Sequence, residues 1–376
     1  MIKSNRRKKR TKTVICLFIL VFLILLAVCA VIYIKRYRPE PDSEIPFDIG
    51  EEDYKPSVDS SVGEFQRKSE VYNILVVGKD KVALNTDIMM LVNIDAQNQQ
   101  VTVLQLPRDT YFDGNKLNAQ YAAHYLASSD SDKQVQSGME GLKKDIEKTL
   151  CVKIDYTALV TLEGFSSIVD LIGGVEVDVP FDMKYNDPAQ DLYIDIKAGK
   201  QRLDGETAVK FVRFRNSFVE GDLGRMDSTK LFLSAFLAQF KKNLNISTLP
   251  RMVSAAIKNV TTTMSLMDIV YFGEIALNLD LNNVSFLTLP GLDAREYGDS
   301  GRWFYIAHRA DCLNAVNRYI NLYTSDISSS IFDKNTALCD QSKTKFKEIY
   351  YAKASENLKK YTASDIQENG IDILHY

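Results

Sequence analysis

The chain has 376 residues, with 46 Lys and Arg against 49 Asp and Glu, a formal charge of −3. The first 38 residues hold ten of the bases and no acid, so the remainder carries 36 bases against 49 acids, or −13. A body that acidic is a poor nucleic-acid binder, because such affinity comes from basic surface; the length allows one large domain or two ordinary ones.

The N-terminus is a membrane signature. Arg6 to Arg10 and Lys12 precede an uncharged apolar run from Val14 to Ile34, and Lys35, Arg36 and Arg38 follow it. Twenty-one helical residues rise about 31 Å, the depth of a bilayer core. No small-residue cleavage site precedes Lys35, so residues 14–34 are expected to be an uncleaved transmembrane anchor. The heavier basic cluster would keep residues 1–13 in the cytoplasm and place the rest outside. Residues 35–70 carry Pro39, Pro41, Pro46 and Pro56 among acids and serines, and are expected to form an extracellular linker.

Order is expected from Val71. Val71–Gly78 is a continuous apolar run of the kind buried on both faces of a sheet. Ile88–Ile94 and Gln100–Leu106 are two more strands, joined through the turn-forming Asp95-Ala96-Gln97-Asn98 as a hairpin. Helices are predicted at 118–127, 133–150 and 164–172, the last ended by Gly173-Gly174. Strands are predicted at 156–162 and 175–179. Asp204 caps a short helix, and Phe211–Arg225 is read as a strand and turn. Helices at 227–244, 249–258 and 266–277, a strand at 284–289 and a helix at 310–323 complete the pattern. The interleaving predicts an α/β fold: an α-β-α sandwich with a mixed central β-sheet over residues 71–326, preceded by one N-terminal transmembrane helix. The tail 327–376 has no legible period.

Cys16 and Cys29 lie in the anchor; Cys312 with Cys339 suits either a disulfide in an oxidising exterior or two buried thiols. The three histidines, His124, His308 and His375, have no metal-ligand spacing.

Four clusters sit at strand ends, where α/β folds place their sites. Arg213 and Arg215 would share one strand face, repelling unless an anion lies between them, and arginine suits phosphate by bidentate geometry. Asp222 and Arg225 follow in the next turn. Asp80 and Asp87 at adjoining strand ends suit a hard divalent cation that also touches phosphate, or simply form turns. In Pro107-Arg108-Asp109, proline keeps the preceding Leu106 extended, so Arg108 emerges at a strand tip, and Asp109 can orient an arginine or take a proton. Lys116 and Asn118 precede a helix N-terminus, which favours anions.

In order and spacing, Asp80, Asp87, Pro107-Arg108-Asp109, Lys116-Leu-Asn118, Gly173-Gly174-Val175, Leu203-Asp-Gly205, Arg213-x-Arg215 and Asp222-x-Gly-Arg225 resemble the signature series of the LytR-CpsA-Psr family over roughly residues 71–245. The resemblance implies an extracytoplasmic, membrane-anchored phosphotransferase of a Gram-positive bacterium. Such an enzyme moves a glycopolymer, such as teichoic acid or capsule, from a polyprenyl pyrophosphate carrier onto a peptidoglycan sugar hydroxyl. It assigns Mg2+ (or Mn2+) to Asp80 and Asp87, and the pyrophosphate to Arg108, Lys116, Asn118, Arg213, Arg215 and Arg225, with Asp222 beside them. Asp109 or Asp222 is the candidate base. The polyprenyl chain is expected between the sheet and helical stripes such as Leu231–Phe240 and Phe165–Ile172. The chain departs from the family at Ser228-Thr229, where Arg-Gln is usual, so Thr229 either replaces a pyrophosphate contact or that contact is lost. It departs again at His124-Tyr125, where many members have a glycine pair. A non-catalytic polyprenyl-pyrophosphate binder acting as a surface regulator or scaffold is the alternative; a transferase would need Asp80 and Asp87 for turnover, and a binder would not.

Overall fold

The strand β1 (Val71–Lys79) is buried along most of its length, as its unbroken apolar run predicts. The computed structural model that contains it describes residues 36–41, 44–48, 65–79, 84–188, 192–215, 222–243, 248–296, 302–339, 346–349 and 360–371. The expected anchor 14–34 and Asp80 lie outside the described residues, among which no helix is long and apolar enough to cross a membrane.

β1 pairs antiparallel with β2 (Thr86–Asp95), which turns back as β3 (Gln100–Gln105), the expected hairpin. A small hairpin, β4 (Tyr111–Phe112) and β5 (Asn115–Lys116), leads into α1 (Asn118–Ala127) and α2 (Gln134–Leu150). β6 (Tyr156–Thr161) runs parallel to β1 and gives way to α3 (Leu162–Leu171), with the Thr161 hydroxyl accepting from the Gly164 N–H. Two ladders follow: β7 (Val175–Val179) pairs with β10 (Gly199–Leu203) around the inner pair β8 (Met183–Asp187) and β9 (Leu192–Ile196). Then come α4 (Gly205–Arg213), α5 (Asp222–Asn243), α6 (Leu249–Asn259), β11 (Val260–Thr262), α7 (Leu266–Asn278) and β12 (Val284–Thr288). β13 (Gly291–Glu296) and β14 (Trp303–Ala307) form a further ladder, and α8 (Arg309–Ala315) continues through a widened turn to Ile320. α9 (Ser329–Asn335), β15 (Phe346–Ile349), β16 (Tyr361–Thr362) and α10 (Ala363–Asn369) complete the described chain.

The central sheet has the order β11-β6-β1-β2-β3-β12-β16, with β6/β1 and β3/β12 parallel and the other pairs antiparallel. It is the expected mixed sheet with a core on each face. Leu75, Leu91, Leu142, Ile146 and Phe332 lie in one core, under α1, α2 and α9. Val169, Phe211, Phe232, Phe286 and Ile366 lie in the other, under α3, α4, α5 and α10. The tail after Ile327 therefore enters both cores and adds β16 to the sheet edge. The linker is partly packed as well: Pro39 and Phe47 are buried, and Phe47 meets Phe65 and Tyr323 edge-on at 5.6 and 6.1 Å.

One expectation fails where it mattered most. Arg213 and Arg215 do not share a strand face. Asp204 accepts the Thr207 N–H at 2.8 Å and starts a helix whose buried Ala208, Phe211 and Val212 fall at helical spacing. That stripe carries the helix to Arg213, and the chain leaves it through the buried Phe214 to Arg215. The alternation of Val212, Arg213, Phe214 and Arg215 suggested a strand, but the longer helical period of the preceding residues prevails.

His124 lies directly over Gly141 of α2, where a Cβ would collide with its ring, and its Nε2 meets Asp145 Oδ2 at 2.7 Å. Cys312 and Cys339 are not disulfide-bonded.

Candidate functional site

The site is built where β1, β2 and β3 end on one side of the sheet. Beyond β3 the segment Pro107–Thr110 folds into a tight turn, with the Thr110 N–H and hydroxyl both donating to the Pro107 carbonyl at 3.0 and 2.6 Å. Three further backbone bonds pin it: Asn118 N–H to Arg108 O at 3.1 Å, Leu117 N–H to Thr110 O at 2.8 Å, and Tyr305 N–H to Asp109 O at 2.8 Å. Pro107 has no N–H to continue the ladder, so the turn projects Arg108 and Asp109 from the sheet end.

Asp87, second residue of β2, receives two guanidiniums on a single oxygen. Arg108 reaches its Oδ1 at 3.2 Å and Arg215 at 2.6 Å. Asp109 is held by Lys116 at 3.0 Å and lies 3.7 Å from Arg108 Nε. Arg225, one turn into α5, is buried, and shares a small cleft with Asp87, Gln105, Met226 and Thr229. Partial burial, then repulsion from Arg108 and Arg225, lower the pKa of Arg215 from its ordinary value, while Asp87 acts the other way. Arg108, Lys116, Arg215 and Arg225 gather around Asp87 and Asp109. Guanidiniums crowded this closely make a receptor for a multiply charged anion.

Several expected residues behave differently. Asn118 is buried and acts through its backbone: its N–H holds Arg108 O, and its carbonyl accepts from the Thr86 hydroxyl at 3.5 Å. Thr229 is buried with its hydroxyl donating to the Arg225 carbonyl at 2.9 Å, so its proton is committed to its own helix. Arg213 is half-buried at the C-terminus of α4, two residues before Arg215. Asp222 opens α5, but its side chain, like Asp80, lies outside the description. The stripes on α3 and α5 are packed core, with Phe165 and Phe232 5.4 Å apart. Beside Leu231 and Ala235, however, a groove of about 1010 Å³ runs between α5, the β7–β10 ladder and α10.

Gln105 escaped sequence reasoning. It is buried, and its Nε2 donates to Met226 O at 3.2 Å, tying β3 to the helix that carries Arg225. Its Oε1 and the buried Ser228 Oγ have no partner among the described residues. The signal was an amide inside an otherwise apolar strand end, Val103-Leu104-Gln105-Leu106.

The residues also fit a hard cation in part. Nothing among the described residues donates to Asp87 Oδ2, which leaves an oxygen for a metal, and no group of three or more His, Cys, Asp or Glu gathers there. One or two carboxylates completed by substrate phosphate is the usual arrangement for Mg2+.

A sequence model of the LytR_cpsA_psr family matches residues 43–319. The chain is 24% identical over 339 residues to a Bacillus subtilis (strain 168) protein named polyisoprenyl-teichoic acid–peptidoglycan teichoic acid transferase TagV, covering 86% of this chain and 82% of that one. It is 28% identical over 278 residues to a protein named as the corresponding transferase TagU of Bacillus cereus (strain AH820), covering 70% and 84%. The crystal structure of B. subtilis TagV superposes with a TM-score of 0.55 at 24% identity, over 66% of this chain and 94% of that one, and so shares the fold.

Proposed function

The chain belongs to the LytR-CpsA-Psr family, and from that premise we propose that it is a glycopolymer–peptidoglycan phosphotransferase. Its donor is a glycopolymer on a polyprenyl pyrophosphate, and its acceptor a sugar hydroxyl of peptidoglycan. The protein is held by residues 14–34 in the cell membrane, with its N-terminus cytoplasmic and the catalytic domain outside. The relatives named as teichoic acid transferases support a polymer of the teichoic acid class.

One observation carries this reading: Arg108 and Arg215 converge on one oxygen of Asp87, with Arg225 crowding Arg215. Asp87 thus bonds both guanidiniums through one oxygen. A pyrophosphate bound among them is met by guanidiniums suited to its geometry, and the arginines then stabilise the charge that builds as the acceptor oxygen bonds to phosphorus and polyprenyl phosphate departs. The acceptor proton passes to Asp109 or Asp222. Lys116 and Arg108 hold Asp109 in place for either role. Mg2+ (or Mn2+) would be held by Asp87 with Asp80 and would neutralise pyrophosphate oxygens. The polyprenyl chain would leave the clamp along α5 toward the groove lined by Leu231 and Ala235.

The test is transfer of a labelled saccharide from polyprenyl pyrophosphate to peptidoglycan oligomers by the full chain in detergent, with magnesium or chelator. Metal-dependent appearance of label on the glycan is the expected result. Lipid binding without transfer in either condition would replace the transferase by a carrier-binding protein.

A further inference from the structure

The end of the domain opposite the clamp is occupied by the first residues after the apolar segment. Val14–Ile34 ends two positions before Arg36, so Arg36 stands at most about 7 Å of chain from it. Residues 36–41 then lie against α7 and the start of β1 rather than passing freely into a tether. The Tyr37 hydroxyl donates to Asp268 Oδ1 at 2.7 Å, Arg38 Nε pairs with Glu70 at 2.7 Å, and the Arg38 guanidinium lies 5.5 Å over the Tyr271 ring. Pro39 is buried, with its carbonyl accepting from the Tyr72 hydroxyl at 3.2 Å. Beneath them Tyr72, Tyr156, Tyr271 and Phe272 meet edge-on at 5.3 to 6.0 Å. Leu266, next to the docked segment at the start of α7, is an apolar residue left 54% exposed.

We infer that residues 36–41 dock the domain in one orientation, with the exposed start of α7 at Leu266 resting on the bilayer surface and the clamp pointing away from it. This rests on the anchor reading proposed above. Tyrosine and arginine are the residue types that sit at a membrane interface, and Tyr37, Arg36 and Arg38 enter the domain there. From Tyr72 to Lys79 β1 rises about 23 Å, which sets the clamp that far from the docked end. α5 begins at Asp222 beside the clamp and ends near Leu279, whose carbonyl accepts from Lys241 at the docked end of the sheet. It thus gives a lipid chain held at the clamp a path back to the bilayer. The pyrophosphate is presented toward the wall while its tail returns along α5.

The protein contains a single tryptophan, Trp303, half-exposed on β14 two residues from Tyr305, which bonds the clamp turn at Asp109. The full chain is reconstituted in vesicles of phosphatidylglycerol and phosphatidylcholine, with and without acyl chains brominated near the headgroup. Trp303 emission is expected to be the same in both. In a Leu266→Trp chain that also carries Trp303→Phe, emission is expected to fall in brominated vesicles. Adding Tyr37→Phe and Arg38→Ala to that chain should remove the loss while the protein stays membrane-bound. Equal quenching at both positions, or quenching of Trp303 alone, overturns the orientation. Protein that washes off the vesicles at alkaline pH overturns the anchor beneath it, leaving the transferase reading to its own assay.

Discussion

The two ends of β1 follow opposite rules. At the Tyr72 end the charges are paired and the rings packed: Arg38 has Glu70, Tyr37 has Asp268, and four aromatic rings interlock. At the Lys79 end, Arg215 stands with Arg108 and Arg225 around Asp87, its bonded counter-charge, and partial burial, then their repulsion, lowers its pKa. Burial and pairing stabilise a fold; like charges crowded together do not, and persist where a ligand completes them. One end is built for packing, and the other for binding an anion.

The sharpest way to break this contrast is Arg215→Ala. It should slow transfer by about 10²- to 10³-fold, the loss typical of one electrostatic donor, while leaving thermal stability unchanged or raised. Arg215→Lys should recover little, because an ammonium lacks the planar fork. Wild-type turnover in the alanine variant, read by the transfer assay, would remove Arg215 from the clamp. At the other end the pattern inverts: Tyr72→Ala should lower unfolding free energy by about 3 kcal/mol in chemical denaturation, with turnover per folded molecule preserved.

Smaller effects sharpen the supports. Gly141→Ala should destabilise by about 1–2 kcal/mol, because its methyl meets the His124 ring. In a His124→Ala background the same change should stabilise, since alanine is the better helix former. Asp204→Ala should cost about 1 kcal/mol through loss of the α4 cap. Hydrogen bonds from Thr207 hold the Asp204 carboxyl below its usual pKa, so the folded state binds its proton less tightly than the unfolded chain. The cap's contribution is therefore full above the ordinary carboxylate value and lost as pH falls through the lowered one, and the gap between variant and wild type should close there.

Much of this was legible because the sheet strands are strongly patterned. The continuous run of β1 and the turn between β2 and β3 mark three neighbouring strands, which carry Asp87 and lead into the turn of Arg108. The Arg213 segment misleads because four residues of alternation, Val212 to Arg215, overlap the end of a nine-residue helix. The β8–β9 pair was missed although Leu192, Ile194 and Ile196 alternate, since a short, separate two-stranded ladder has no partner legible in sequence. Residues 36–48 read as tether by composition, yet Pro39 and Phe47 are buried, meeting Tyr72 and Tyr323, far away in the chain. Gln105 could be noticed but not interpreted, because its partner Met226 is brought to it only by the fold.

The most direct test of the clamp is a comparison of wild type with Arg108→Ala and Arg215→Ala, each as the full chain, for both lipid-pyrophosphate binding and metal-dependent transfer. The account predicts that each variant keeps the fold and loses transfer far more than it loses affinity, because the arginines act on charge that develops as the bond breaks. Equal loss of both would make them ground-state binding groups only. Loss of neither would place the chemistry somewhere else.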